Sequence, residues 1–140
     1  MKLKLIENLE SPCADISFEW LSGKESSLSI NLHFSRVIEG FDKDINVIFG
    51  QPISAVWEQE NFGLFELPEN LPRCKDQTFK EWTYPALVLP ESRWADSYAG
   101  RILSVEDFQQ HELKHYVFLS MNDLLHVLSF KNPTIKVLNA

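Results

Sequence analysis

A chain of 140 residues, 44% of them apolar and 24% charged, is long enough to close one core and too apolar to stay disordered. Its net charge of −7 argues against direct nucleic-acid binding, which needs a basic face, and no apolar run approaches the roughly 18 residues of a membrane span. Cys13 and Cys74 lie far apart with no His nearby, which excludes a zinc ribbon and argues against a disulfide framework. Glu7 and Glu10 interrupt the amino-terminal segment before a signal-peptide core could form, so the cytoplasm is the expected location.

Strand signals dominate the first half. Ile16, Phe18 and Trp20 alternate with Ser17 and Glu19, and the following link contains Gly23, as a hairpin loop would. Leu28, Ile30, Leu32, Phe34 and Ile38 alternate with Ser29, Asn31, His33 and Ser35, the period-two pattern of a strand with one buried face. Ile45 to Phe49 reads as a short strand stopped by Gly50-Gln51-Pro52. Ser54 to Gln59 and Gly63 to Leu67 read as two more, and Pro68 to Thr78 as an irregular loop.

The second half is less periodic. Trp82 to Leu89 holds Pro85 and so reads as an edge strand or an extended segment. Ser92 can cap a short helix through Tyr98 ended by Gly100, and a further helix can start at Ser104. Tyr116 to Ser120, a turn at Met121-Asn122-Asp123, and Leu124 to Phe130 read as a hairpin. Leu124, Leu125 and Leu128 also suit a helix from Asn122 to Ser129, with the hairpin preferred. Thr134 to Leu138 is a last strand. The expected fold is α+β, a mostly antiparallel sheet of roughly seven or eight strands with one or two short helices, in a single domain over residues 1–140.

One segment names a chemistry. His111-Glu112-Leu113-Lys114-His115 fits H-E-x-x-H, which on a helix holds zinc between two histidines while the glutamate activates water. Residues four apart lie about 6 Å apart along a helix but roughly 13 Å apart along a strand, too far to share an ion. The aromatic and β-branched run Tyr116-Val117-Phe118-Leu119 favours a strand beginning near His115. Downstream, Asp123 and His126 are the remaining ligand candidates, and no glutamate follows Glu112. The preferred reading is a strand-entry histidine whose replacement by Ala costs about 1 kcal/mol or less, with no metal and no cofactor. A zinc hydrolase using His111, Glu112 and His115 is the alternative.

Other chemistries fare less well. Glu58 and Glu60 share a side of one strand, as glycosidase carboxylates could, but same-strand glutamates on a solvent face are commoner. Cys74 follows Pro72-Arg73 without a catalytic context, and the five glycines form no phosphate or dinucleotide fingerprint. His33 is expected at the surface. Trp57, Trp82 and Trp94 are expected in the core, although aromatics beside an acidic rim also resemble interface hot spots.

The charge is unevenly placed. Seven acids and one base, Lys43, fall between Val37 and Asn70 and carry six of the seven excess negative charges. That points to an acidic face that meets a basic protein partner, with Glu39, Asp42, Asp44, Trp57, Glu58, Glu60 and Glu66 as the partner-binding candidates and no catalytic residue. The segments Ile45 to Phe49, Ser92-Arg93-Trp94, and His115 to Phe118 leading to His126-Val127-Leu128 are similar to those of small bacterial cytoplasmic domains, some of them immunity proteins that neutralise a toxin. The resemblance covers about the last two-thirds of the chain and departs at His126, where an acid is expected. It implies a non-enzymatic protein that works by binding a basic toxin domain. A small-molecule-binding or scaffolding β domain is a further alternative.

Overall fold

Leu28, Ile30 and Leu32 are buried and Ser29, Asn31 and His33 half-exposed, so β2 (Ser27–His33) has the two-faced character its alternation predicts. The computed structural model describes residues 4–6, 9–21, 26–34, 44–59, 71–98 and 112–138. β1 (Asp15–Leu21) and β3 (Asp44–Gly50) flank β2, and β8 (Thr134–Leu138) pairs with β3. These strands form sheet 1, in the order β1-β2-β3-β8. β4 (Ser54–Gln59), β7 (Asp123–Ser129), β6 (Lys114–Leu119) and β5 (Ala86–Leu89) form sheet 2, in the order β4-β7-β6-β5. Every pairing in both sheets is antiparallel.

The hairpin reading of Tyr116 to Phe130 holds, and the helical alternative for Asn122 to Ser129 does not. Its turn is fastened locally. The Ser120 hydroxyl accepts from the backbone N–H of Asn122 and Asp123 and also bonds the Asp123 carboxylate. Pro85 stands just ahead of β5, where a missing donor costs nothing, and residues 4–6 run along the outer edge of that strand.

The two sheets face one another. Leu28, Ile30, Leu32, Ile45, Val47 and Phe49 of sheet 1 meet Ala86, Tyr116, Phe118, Leu125 and Val127 of sheet 2 in one core. Phe49 contacts Tyr116 and Phe118 edge-to-face at centroid distances of 4.9 and 6.0 Å. Sheet 2 is buried on its other face as well. There Leu71, Cys74, Phe79 and Tyr84, with Trp94, Ala95 and Tyr98 in and after the short helix α1 (Arg93–Asp96), cover Leu87, Val117, Leu124 and Leu128.

Burial on both faces explains the ambiguous sequence of β6 and β7, because a strand covered on both sides reads as a continuous apolar run. The α part of the α+β expectation rests on little. Among the described residues, helix is limited to α1 and a 3-10 turn at Gln77–Phe79. The strand expected at Gly63 to Leu67 and the helix expected from Ser104 fall outside the described residues.

Two tethers complete the frame. Glu10 accepts from Lys4 Nζ at 2.9 Å, Lys75 N at 2.7 Å and Tyr84 OH at 2.9 Å. Burial raises its pKa, but these hydrogen bonds together outweigh that and hold it below the usual carboxylate value. At the start of β1, the Cys13 carbonyl accepts from Met121 N at 3.2 Å and the Cys13 thiol donates to the Leu119 carbonyl at 3.1 Å. Both cysteines are free and buried. No helix among the described residues is long and apolar enough to cross a membrane.

Candidate functional site

Three groups of side chains stand out. The first is buried, on the face of sheet 2 away from sheet 1. His126 of β7 lies opposite Val117 and Val56, while His115 lies two residues along β6 and Glu58 two residues along β4. The three side chains therefore step diagonally across the sheet on one face, within reach of one another. His115 Nε2 is 2.8 Å from His126 Nδ1, and His126 Nε2 is 3.5 Å from Glu58 Oε2. On the far side, Ser92 Oγ lies 2.8 Å from His115 Nδ1 and also accepts the Ala95 N–H as the cap of α1. Trp94 covers both imidazoles edge-to-face, at 5.1 Å from His115 and 6.4 Å from His126.

One set of tautomers gives each of these contacts a donor and an acceptor. Ser92 donates to His115 Nδ1, His115 Nε2–H to His126 Nδ1, and His126 Nε2–H points to the Glu58 carboxylate. Both imidazoles are neutral at pH 7. Burial, and then the neighbouring His126, push His115 down to about 3. Burial lowers His126 too, against the opposing pull of Glu58. A base that holds no proton above about pH 3 is poorly matched to proton transfer at neutral pH. The chain of four groups instead ties α1 to three strands of sheet 2.

The second group lies on the outer face of sheet 1. Ser17 Oγ is 2.8 Å from His33 Nε2, and His33 Nδ1 is 2.8 Å from Asp44 Oδ2, so β1, β2 and β3 each contribute one member. The order of groups is that of a serine nucleophile, its base and its orienting acid. Here, however, the histidine and the acid are each about one-third exposed, so water screens the pair. The group continues into a polar ladder in which Ser17, Asn31, Asn46 and Lys136 form one cross-strand row. The Asn46 amide donates to Ser29 Oγ, to the Ile30 carbonyl and to Asn31 Oδ1. The ladder satisfies the solvent face of the sheet.

The third group is the edge of sheet 1. β1 pairs with β2 along all seven of its residues, and its other side meets no strand among the described residues. Phe18 and Trp20 point to the core side but are 39% and 47% exposed, because they stand at the sheet margin. Asp15, Ser17 and Glu19 point to the other side and are exposed.

The residues singled out from the sequence separate on this frame. Glu58 is corrected: expected on a solvent face, it is 7% exposed and belongs to the histidine chain. Trp57, expected in the core, is 46% exposed, its indole N–H donating to Asp123 at 2.7 Å, and Trp82 is exposed too. Asp44 is half-exposed and held by His33. Glu39, Asp42, Glu60, Glu66 and His111 lie outside the described residues.

Tyr116 to Leu119 are in a strand, as expected. His115 is not the surface strand-entry residue foreseen. It is 3% exposed with both ring nitrogens hydrogen-bonded, so its loss costs well over 1 kcal/mol. No group of three His, Cys, Asp or Glu that could hold a metal ion occurs among the described residues.

The pairing of His115 with His126 was within reach of the sequence. Closing the hairpin at Ser120 and Asp123 fixes the register and sets both imidazoles on one face. The link to Ser92 and Glu58 had no such signal. No family model, no curated protein and no solved structure matches the chain.

Proposed function

We propose that this protein is a binding module that works without catalysis, an acidic inhibitor of the immunity type that captures a basic protein partner in the cytoplasm. The observation that carries this reading is the placement of exposed apolar side chains. Among the described residues, six of the eight large ones left exposed (Phe18, Trp20, Leu21, Ile135, Val137 and Leu138) lie on the two edge strands of sheet 1. Apolar patches rimmed by polar groups are what protein interaction surfaces look like.

Charge supports the same reading. A toxin domain that attacks nucleic acid must itself be basic, and an acidic partner gains on-rate and specificity from the complementary field. The excess acids between Val37 and Asn70 other than the buried Glu58, together with Asp15 and Glu19 of β1, supply that field. The test is native capture with identification of the bound protein, then titration of the purified pair at low and high salt. The expected result is a basic partner whose affinity falls about tenfold or more between roughly 50 and 300 mM salt. Recovery of no protein partner, or of one that binds independently of salt, overturns the proposal.

A further inference from the structure

We infer that β1 is the docking strand, and that it takes up an extended basic segment of the partner by strand addition to its open edge. The inference rests on the binding reading above and names the place and mode. Seven residues of extended chain, spanning about 23 Å, offer one row of backbone N–H and C=O groups that no strand among the described residues pairs. Natural edges are usually blunted by lysine, proline, a bulge or shortness. The β1 sequence Asp-Ile-Ser-Phe-Glu-Trp-Leu contains neither lysine nor proline.

The other edge of the same sheet is less suited. β8 has five residues, carries Lys136 and holds no acid. β1 carries Asp15 and Glu19 and no base. Of the two edges of sheet 1, β1 is therefore the one that, among the described residues, combines an open backbone with charge opposite to that of a basic partner.

The side chains set what such a segment must look like. Asp15, which also accepts from the Asn122 side-chain amide at 3.3 Å, and Glu19 are four residues apart on one face, so lysines or arginines at the same spacing on the incoming strand come to lie beside them. On the other face, Phe18 and Trp20 extend the apolar surface past the sheet margin, where alternate aliphatic residues of the segment can pack. A second copy of this chain fits badly. Pairing β1 with another β1 places four acids and no base in one two-stranded ribbon, and like charges on neighbouring strands repel.

The probe is a seven-residue peptide of alternating lysine and valine, compared with the same peptide N-methylated at alternate backbone amides, which cannot add to a strand edge. Expected are binding of the unmethylated peptide, about tenfold or greater weakening on methylation, and slowed hydrogen exchange of β1 amides in the complex. The double variant Asp15→Asn, Glu19→Gln, checked for an unchanged circular dichroism spectrum, should bind the peptide several-fold more weakly. Equal binding of the two peptides would overturn strand addition and leave the acidic-partner reading standing. So would binding without protection of β1, or no binding at all by a chain that still captures its basic partner. A dimer in sedimentation that is abolished by changes in β1 would assign the edge to a second copy and overturn the inference. Failure to capture any partner, by contrast, strikes at the reading beneath it.

Discussion

Sheet 1 and sheet 2 each have four antiparallel strands, yet they treat their polar residues in opposite ways. Sheet 2 is covered on both faces, so its histidines and Glu58 bond to one another and to the capping serine of α1. Among the described residues, sheet 1 packs against a core on one face only, and of the polar side chains on its other face Asn46 alone is buried. Its histidine, serine and aspartate meet water, and its edge strands hold apolar side chains that nothing among the described residues buries. The same residue types thus hold the fold together in one sheet and dress a surface in the other. The covered sheet is the frame, and the open sheet is where the proposed partner would act.

The largest test of this contrast exchanges one side chain in each sheet. Phe118→Ala empties a fully buried site in sheet 2 and should cost about 3–5 kcal/mol. Phe18→Ala at the margin of sheet 1 should cost about 1 kcal/mol or less. Urea denaturation reads both, and equal losses would erase the distinction.

Acid should act through sheet 2. Unfolded, His115 titrates near 6.5; folded, it refuses a proton until about pH 3. Below pH 6.5 the unfolded chain therefore binds more protons, and stability, full above that pH, falls as pH drops toward 3 by up to about 1.4 kcal/mol per unit. Between pH 7 and 5, above most of the carboxylate range, the loss should be about 2 kcal/mol, with His126 acting in the same direction. His115→Gln should flatten this slope; a variant with the slope of the parent would refute the neutral-imidazole assignment.

The smallest effect compares two serines. Ser92→Ala removes both a helix cap and the hydroxyl on His115 and should cost about 1–2 kcal/mol. Ser17→Ala, on the open face beside His33, should cost no more than about 0.5 kcal/mol. Similar losses would mean that the Ser17, His33 and Asp44 group bears more of the fold than its exposure suggests.

What the sequence could convey follows the same division. β2 was legible because one buried and one wet face write a period of two into Leu28, Ile30 and Leu32. The chain segments at Ser54–Gln59 and Thr134–Leu138 were bounded correctly because turn residues flank them. β7 was ambiguous because burial on both faces erases the period. Glu58 was misplaced because local alternation identifies two sides of a strand without saying which is inside. In β4 the side carrying Val56 and Glu58 turns to the histidines, and Trp57 stands at the margin. The partners that make a buried glutamate tolerable come from β6, β7 and the turn at Ser92, all remote in sequence.

Cys13 gives the molecule a built-in clock. Its thiol is buried between the start of β1 and the β6–β7 turn, and burial, with Asp123 and Asp15 adding to it, pushes its pKa well up, so it reacts only after that corner parts. Cys74 lies instead beneath the cover of sheet 2, pushed up to about 11 by burial and then by Glu10. A thiol-reactive dye added to the native protein therefore times two separate events, the loosening of the outermost strand at its fastened end and the lifting of the segment around Cys74 and Tyr84 from Leu87 of sheet 2.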